Sequence, residues 1–155
     1  MGTKIILIAV LLLSVMALAV AYSSKSTEAA VNYSNESPSD FVSDGQIMVY
    51  EDKVILNVNN AVWVKYEDTG SMKPVIDVGA NGLEVVPKSE SELKVGDIVS
   101  YQASWNDSLV VHRIIEVGSD AFGTYYTLKG DNNTEQDSGK IRFSQIKYKT
   151  IAIIY

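Results

Sequence analysis

From Ile47 to the end of the chain, no window holds a 3.6-residue apolar period long enough for a helix. Short runs rich in Val, Ile, Tyr and Trp occur instead, at 47–50, 54–58, 62–66, 83–86, 97–102, 109–117, 124–129 and 147–154. Such side chains pack well on a pleated, half-buried surface. Between the runs lie Asn59-Asn60, Asn81-Gly82, Gly96-Asp97, Asn106-Asp107, Gly118-Ser119-Asp120 and Gly130-Asp131-Asn132. These residues tolerate left-handed backbone or bond their own main chain, and so make turns. Many short strands at this spacing predict an all-β domain over residues 47–155, a barrel or a coiled sandwich.

Ahead of that domain, residues 5–22 (IILIAVLLLSVMALAVAY) carry no charge, with Ser14 as the main polar interruption. As a helix this run is roughly 27 Å long, close to the thickness of a bilayer's hydrocarbon core. Two readings compete. Ala19-Val20-Ala21 satisfies the small-residue cleavage rule of a signal peptide. The run is longer than a usual signal core, which favours an N-terminal transmembrane anchor over residues 1–22. Lys4 and the amino terminus precede the segment, so the N-terminus is expected in the cytoplasm and the rest on the outer face of the cell membrane. Residues 23–46, rich in Ser, Asn and acids, read as a flexible polar stalk, because they hold too little apolar surface to offset ordering. The stalk includes the glycosylation sequons Asn32-Tyr33-Ser34 and Asn35-Glu36-Ser37.

Composition then removes several function classes. The 155 residues include no cysteine and one histidine. Disulfides, thiolate metal sites and cysteine nucleophiles are excluded, and an imidazole metal cage lacks its ligands. The 13 basic residues face 19 acidic ones, a net charge of −6. That balance argues against nucleic acid, whose phosphates are bound by clustered Lys and Arg.

Three local patterns could carry chemistry. Gly70-Ser71-Met72-Lys73-Pro74 follows an apolar strand. A nucleophilic serine needs a rigid perch and nearby N–H donors, and a preceding glycine lets the chain turn tightly. Glycine–serine pairs also mark ordinary turns. Val110-Val111-His112-Arg113-Ile114-Ile115 reads as a strand with Val110, His112 and Ile114 on one face. A half-buried histidine there can serve as a general base, or simply pack and bond a backbone carbonyl. Lys129-Gly130-Asp131-Asn132-Asn133, followed by Asp137, offers carboxylates that could orient an imidazole, and is also plain turn chemistry. Asp131, Asn133, Glu135 and Asp137 have the 1-3-5-7 spacing of a calcium loop, but Gln136 and Arg142 stand where an EF-hand needs Gly and Glu. No metal or other cofactor is implied.

Together, Gly-Ser-Met-x-Pro, Val-His-Arg-Ile and Lys-Gly-Asp-Asn-Asn with a later aspartate resemble, in this order, the boxes of type I signal peptidases. The likeness is to the archaeal and endoplasmic-reticulum branch; the bacterial branch and LexA-like autoproteases have a lysine base where this chain has His112. It covers about residues 62–154 and implies a membrane-anchored domain of coiled antiparallel β-sheets. It further implies Ser71 as nucleophile, His112 as general base, Asp137 as the residue orienting it, and Asp131 and Gly70 as supports. The implied activity is removal of signal peptides from exported proteins, with the bilayer as second partner through residues 5–22 and membrane subunits left open.

Departures accompany the likeness. Residues 75–82 (VIDVGANG) replace the family's Arg-Gly-Asp-like turn after Pro74, Glu67-Asp68 precede Thr69-Gly70-Ser71, and the third box reads Gln136-Asp137-Ser138 without a doubled aspartate. They leave two alternatives: a dedicated maturase for one or few substrates, or a catalytically silent anchored β-module. Lys73 could be mistaken for the base of a Ser–Lys dyad, although such a lysine normally comes from a separate strand facing the serine. Trp63 and Trp105 read as core and rim residues, and the Tyr125-Tyr126 pair as strand.

Overall fold

The computed structural model describes residues 36–155. The membrane segment expected at 5–22 and the stalk residues 23–35 lie outside the described residues. Among the described residues, no helix is long and apolar enough to cross a membrane.

Each apolar run read from the sequence contributes a strand: β1 (Ile47–Val49), β2 (Val54–Leu56), β3 (Val62–Lys65), β4 (Asn81–Val85), β5 (Ile98–Gln102), β6 (Leu109–Asp120), β7 (Gly123–Lys129) and β8 (Ile146–Ile154). Among the described residues, helix is confined to three single 3-10 turns, so the domain is all-β. β1 and β2 form a separate hairpin, and the other six strands make one antiparallel sheet in the order β3-β4-β8-β5-β6-β7. Two of the expected turns are strand instead: Asn81-Gly82 opens β4, and Gly118-Ser119-Asp120 ends β6, paired with residues 123–125. Elsewhere the turn residues act as their chemistry requires. Asn60 takes a left-handed φ of 57° between β2 and β3, a conformation that asparagine tolerates better than most side chains. At Gly96, φ is 98° and a Cβ would overlap the carbonyl oxygens of Glu36 and Ser37, so both conformation and space demand glycine.

The sheet is irregular where it matters. Register shifts fall at Leu83/Glu84 against β8, at Ser100/Tyr101 against β8, and between Ile114 and Glu116 against β7. Such bulges add twist and re-aim side chains, and they coil the sheet so that it carries two cores. On one side Val99, Tyr101, Val110, Ile114, Tyr126 and Leu128 bury together. On the other, Tyr66, Met72, Ile76 and Ala80, from the connection between β3 and β4, pack with Ile98. That connection holds Ser71, so its seat is fixed by burial of its neighbour Met72.

The end of the segment read as stalk rests on this sheet. Ser39 N and Oγ both donate to Asp97 Oδ1 at 2.7 Å. Asp97 is fully buried, with Lys149 Nζ 3.3 Å from its other oxygen. A buried carboxylate is tolerable only when paired and hydrogen-bonded, and here the stalk supplies part of that satisfaction.

Candidate active site

His112 stands on β6 in the alternation the sequence implies: Val110, His112 and Ile114 are 8%, 5% and 0% exposed. The opposite face is covered as well at Arg113, which is 7% exposed. A strand buried on both sides cannot slip without exposing one face and burying the wrong groups of the other. This fixes the imidazole in place.

The loop after β7 meets β6 through two carboxylates with different jobs. Asp137 Oδ2 lies 2.6 Å from His112 Nδ1, with both side chains under 10% exposed (8% and 6%). Against a carboxylate, Nδ1 carries the proton and Nε2 is left as the free acceptor. Asp137 is itself placed by its backbone, whose N–H donates to Leu128 O at 2.8 Å. Tyr101 OH donates to the same Oδ2 at 2.6 Å. Burial, and then the bond to Asp137, push the Tyr101 phenol far above its ordinary range, so it is a permanent donor. Asp131 faces elsewhere: its two oxygens take Arg113 Nε and Nη2, each at 2.7 Å, while Arg113 Nη1 donates to Gly96 O at 2.7 Å. The 1-3-5-7 acidic spacing thus splits between two partners. Among the described residues, no group of three or more His, Asp or Glu side chains could hold a metal ion.

The serine loop is stapled to the same segment. Asn132 N donates to Ser71 O at 2.9 Å and Asn132 Nδ2 to Gly70 O at 3.0 Å. Gly130 permits this approach, since a Cβ there would sit 2.6 Å from Ser71 O. Gly70 has a φ of 73°, a left-handed turn in which glycine is unstrained. Ser71 Oγ bonds Thr69 Oγ1 at 3.2 Å, and no hydrogen bond joins it to the imidazole. In ligand-free enzymes such a bond is often long and tightens only on substrate.

Ser71 and His112 line one cavity of about 570 Å³, between the segment 64–72 on one side and 105–112 on the other. Asp137 stands behind the histidine, outside that lining. Lys73 is not part of the wall either. Its ammonium sits 3.0 Å from Asp77 and 3.7 Å from Asp68, and the hydrogen bond to Asp77 raises its pKa. A general base needs the opposite shift. Trp63 is 65% exposed at the sheet edge and so is not a core residue, whereas Trp105, 52% exposed and in the cavity lining, is a rim residue as expected. Tyr125 and Tyr126 lie in β7, as the sequence implied.

Two contributors escaped the sequence. Tyr101 and Asn132 act through partners at separations of 36 and 62 residues, which no local pattern encodes. Arg113 carried a local signal, being a charge inside an apolar strand next to the histidine.

Among known proteins, the chain is 28% identical over 79 residues to "Signal peptidase I W" of Bacillus subtilis (strain 168). The match takes in 51% of this chain and 41% of that protein, so the chain spans less than half the length of its relative. No family model matches, and no solved structure does. The likeness supports a distant relation to the signal peptidases.

Proposed function

We propose that this protein is a membrane-anchored serine endopeptidase that removes N-terminal signal peptides from exported proteins at the outer face of the cell membrane. The observation that carries the reading is the buried His112–Asp137 pair opening on the cavity that Ser71 also lines. The order of the three motifs and the distant signal peptidase relative support it.

In the proposed reaction, Ser71 Oγ attacks the scissile carbonyl while His112 Nε2 takes the hydroxyl proton. Asp137 and Tyr101 hold the ring and stabilise the imidazolium. Collapse of the tetrahedral intermediate breaks the C–N bond, and His112 returns the proton to the departing amine. A water then enters, gives His112 its proton and attacks the acyl-enzyme, which releases the carboxylate and restores Ser71. The backbone N–H of Ser71 donates only a long bond, 3.5 Å, to Thr69 Oγ1, an acceptor that the oxyanion would replace. A donor of that kind is worth roughly 3–4 kcal/mol. The peptide binds extended along β3, an edge strand of the sheet among the described residues. Anchoring enzyme and substrate in one membrane raises their effective concentration.

The test is cleavage of a panel of leader-bearing proteins by membranes containing the wild type, Ser71→Ala or His112→Ala at equal expression. Wild-type cleavage that both substitutions abolish supports the reading. Cleavage that survives Ser71→Ala contradicts it, and a folded wild type inert on every leader leaves the dedicated maturase or the silent module, which a serine-reactive probe separates.

A further inference from the structure

One buried carboxyl in the cavity has no part in the chemistry above. Glu84, on β4 at a register shift, is 1% exposed, yet it contributes to the wall that also holds Ser71. Its Oε1 accepts from Ser100 Oγ at 2.7 Å, Thr150 Oγ1 at 3.3 Å and Tyr66 OH at 3.4 Å. Every one of these bonds falls on Oε1, and Oε2 takes none among the described residues. Burial holds the carboxyl above its ordinary range, and among the described residues no cation pairs with it. Burial also pushes the Tyr66 phenol up to about 12, so that neighbour stays a neutral donor.

The rest of the cavity has a consistent character. Val64, Met72, Ile76 and Val111 give it apolar walls, and Glu67, Asp68 and Asp77 add carboxylates. Against these the lining holds one lysine, Lys65, with Lys73 pairing to Asp68 and Asp77 from outside it. Tyr148 and His112 complete the titratable groups that face it. At about 570 Å³ the space far exceeds what an alanine methyl fills. An apolar sleeve ending in an unpaired carboxylate oxygen fits a long aliphatic stem with a positive tip.

Resting on the peptidase reading, we infer that Glu84 makes this cavity a subsite for a basic side chain of the bound peptide. A lysine stem lies along the apolar walls and its ammonium bonds Glu84 Oε2, which gives the buried carboxylate its counter-charge. Preference for a lysine near the cleaved bond would set this protein apart from an enzyme that accepts only small residues there.

The experiment reads binding rather than hydrolysis. The full chain carrying Ser71→Ala, in detergent, is titrated with fluorescent leader peptides bearing lysine singly at each residue before the scissile bond. Norleucine, with the same stem and no charge, is the comparison. At one position lysine is expected to bind about tenfold more tightly than norleucine, as for a desolvated charge pair. Adding Glu84→Gln should bring that ratio near one, whereas Glu135→Gln, exposed and outside the cavity lining, should leave it standing. Equal binding of lysine and norleucine at every position overturns the inference, as does a ratio that survives Glu84→Gln or vanishes with Glu135→Gln alone. Should Glu84→Gln not fold, Glu84→Asp, which draws the carboxylate back by one methylene, should still cut the ratio, and an unchanged ratio overturns the inference. If the wild type cleaves nothing, the peptidase reading fails, while these ratios judge the subsite separately.

Discussion

Replacing Asp131 with alanine removes the carboxylate from a bidentate pair whose side chains are 9% and 7% exposed. Arg113 then keeps one of its three bonds, Nη1 to Gly96 O at 2.7 Å, and its charge stays buried without a counter-ion. Breaking a pair of this kind by deleting one partner costs about 3–5 kcal/mol. That is a large share of the roughly 5–15 kcal/mol that holds a typical domain together. The melting midpoint should fall by roughly 10–25 °C for a domain of this size. Asp131→Asn keeps the shape and one acceptor, and should lose less, about 1.5–3 kcal/mol, the worth of a charged hydrogen bond. The assay is urea unfolding followed by far-ultraviolet circular dichroism on the purified full chain. The double substitution Arg113→Met with Asp131→Leu is the decisive control, because apolar replacement of both partners removes the uncompensated charge. It should recover most of the loss. A cost below about 1 kcal/mol for Asp131→Ala, or a double variant no better than the single, would refute the argument that this pair is a buried, mutually dependent charge couple.

Three other substitutions probe the site. Tyr101→Phe deletes a 2.6 Å bond to Asp137 Oδ2 and should lower kcat for leader cleavage by about tenfold with little change in KM; an equal change in both would make Tyr101 a packing residue only. Gly130→Ala places a Cβ 2.6 Å from Ser71 O and 2.7 Å from Asn133 Nδ2. The overlap should cost about 1–3 kcal/mol and displace the serine loop, read as lost cleavage in protein that still unfolds cooperatively. Glu84→Gln tests a titration. Because burial raises this carboxyl's pKa in the fold, the native state holds its proton more tightly than the unfolded chain does. Wild-type stability therefore falls as pH rises from the unfolded value through the folded one, and levels off above it. Glu84→Gln should lose that decline and gain on the wild type as pH rises through that window in denaturation series. A parallel decline in both proteins would contradict it.

The architecture was readable because strands announce themselves locally. The run at 109–117 alternates and is bounded by Asn106-Asp107 and Gly118-Ser119-Asp120, and it folds as β6, extended to Asp120. The two-stranded hairpin and the strand order were beyond reach, since pairing of β4 with β8 joins residues far apart in the chain. Ser71, His112, Asp131 and Asp137 stood out as motif residues, and the fold brings the first two to one cavity and gives the others their separate partners. The shared oxygen of Asp137, the staple from Asn132 to the serine loop and the carboxyl of Glu84 left no mark in spacing. Each depends on contacts between elements far apart in the chain. Part of the polar segment before β1 also proved to be bound, because Asp97 needs the donors that Ser39 supplies.

The most direct test of Ser71 as a nucleophile activated by His112 is labelling of the full chain with a fluorophosphonate, followed by mass spectrometry of the modified peptide. A single adduct on Ser71 is expected, formed by the wild type and lost or slowed at least about a hundredfold in His112→Ala, the scale of a general base's contribution. Folded protein that takes up no label, or that labels Ser71 equally fast without His112, would contradict it.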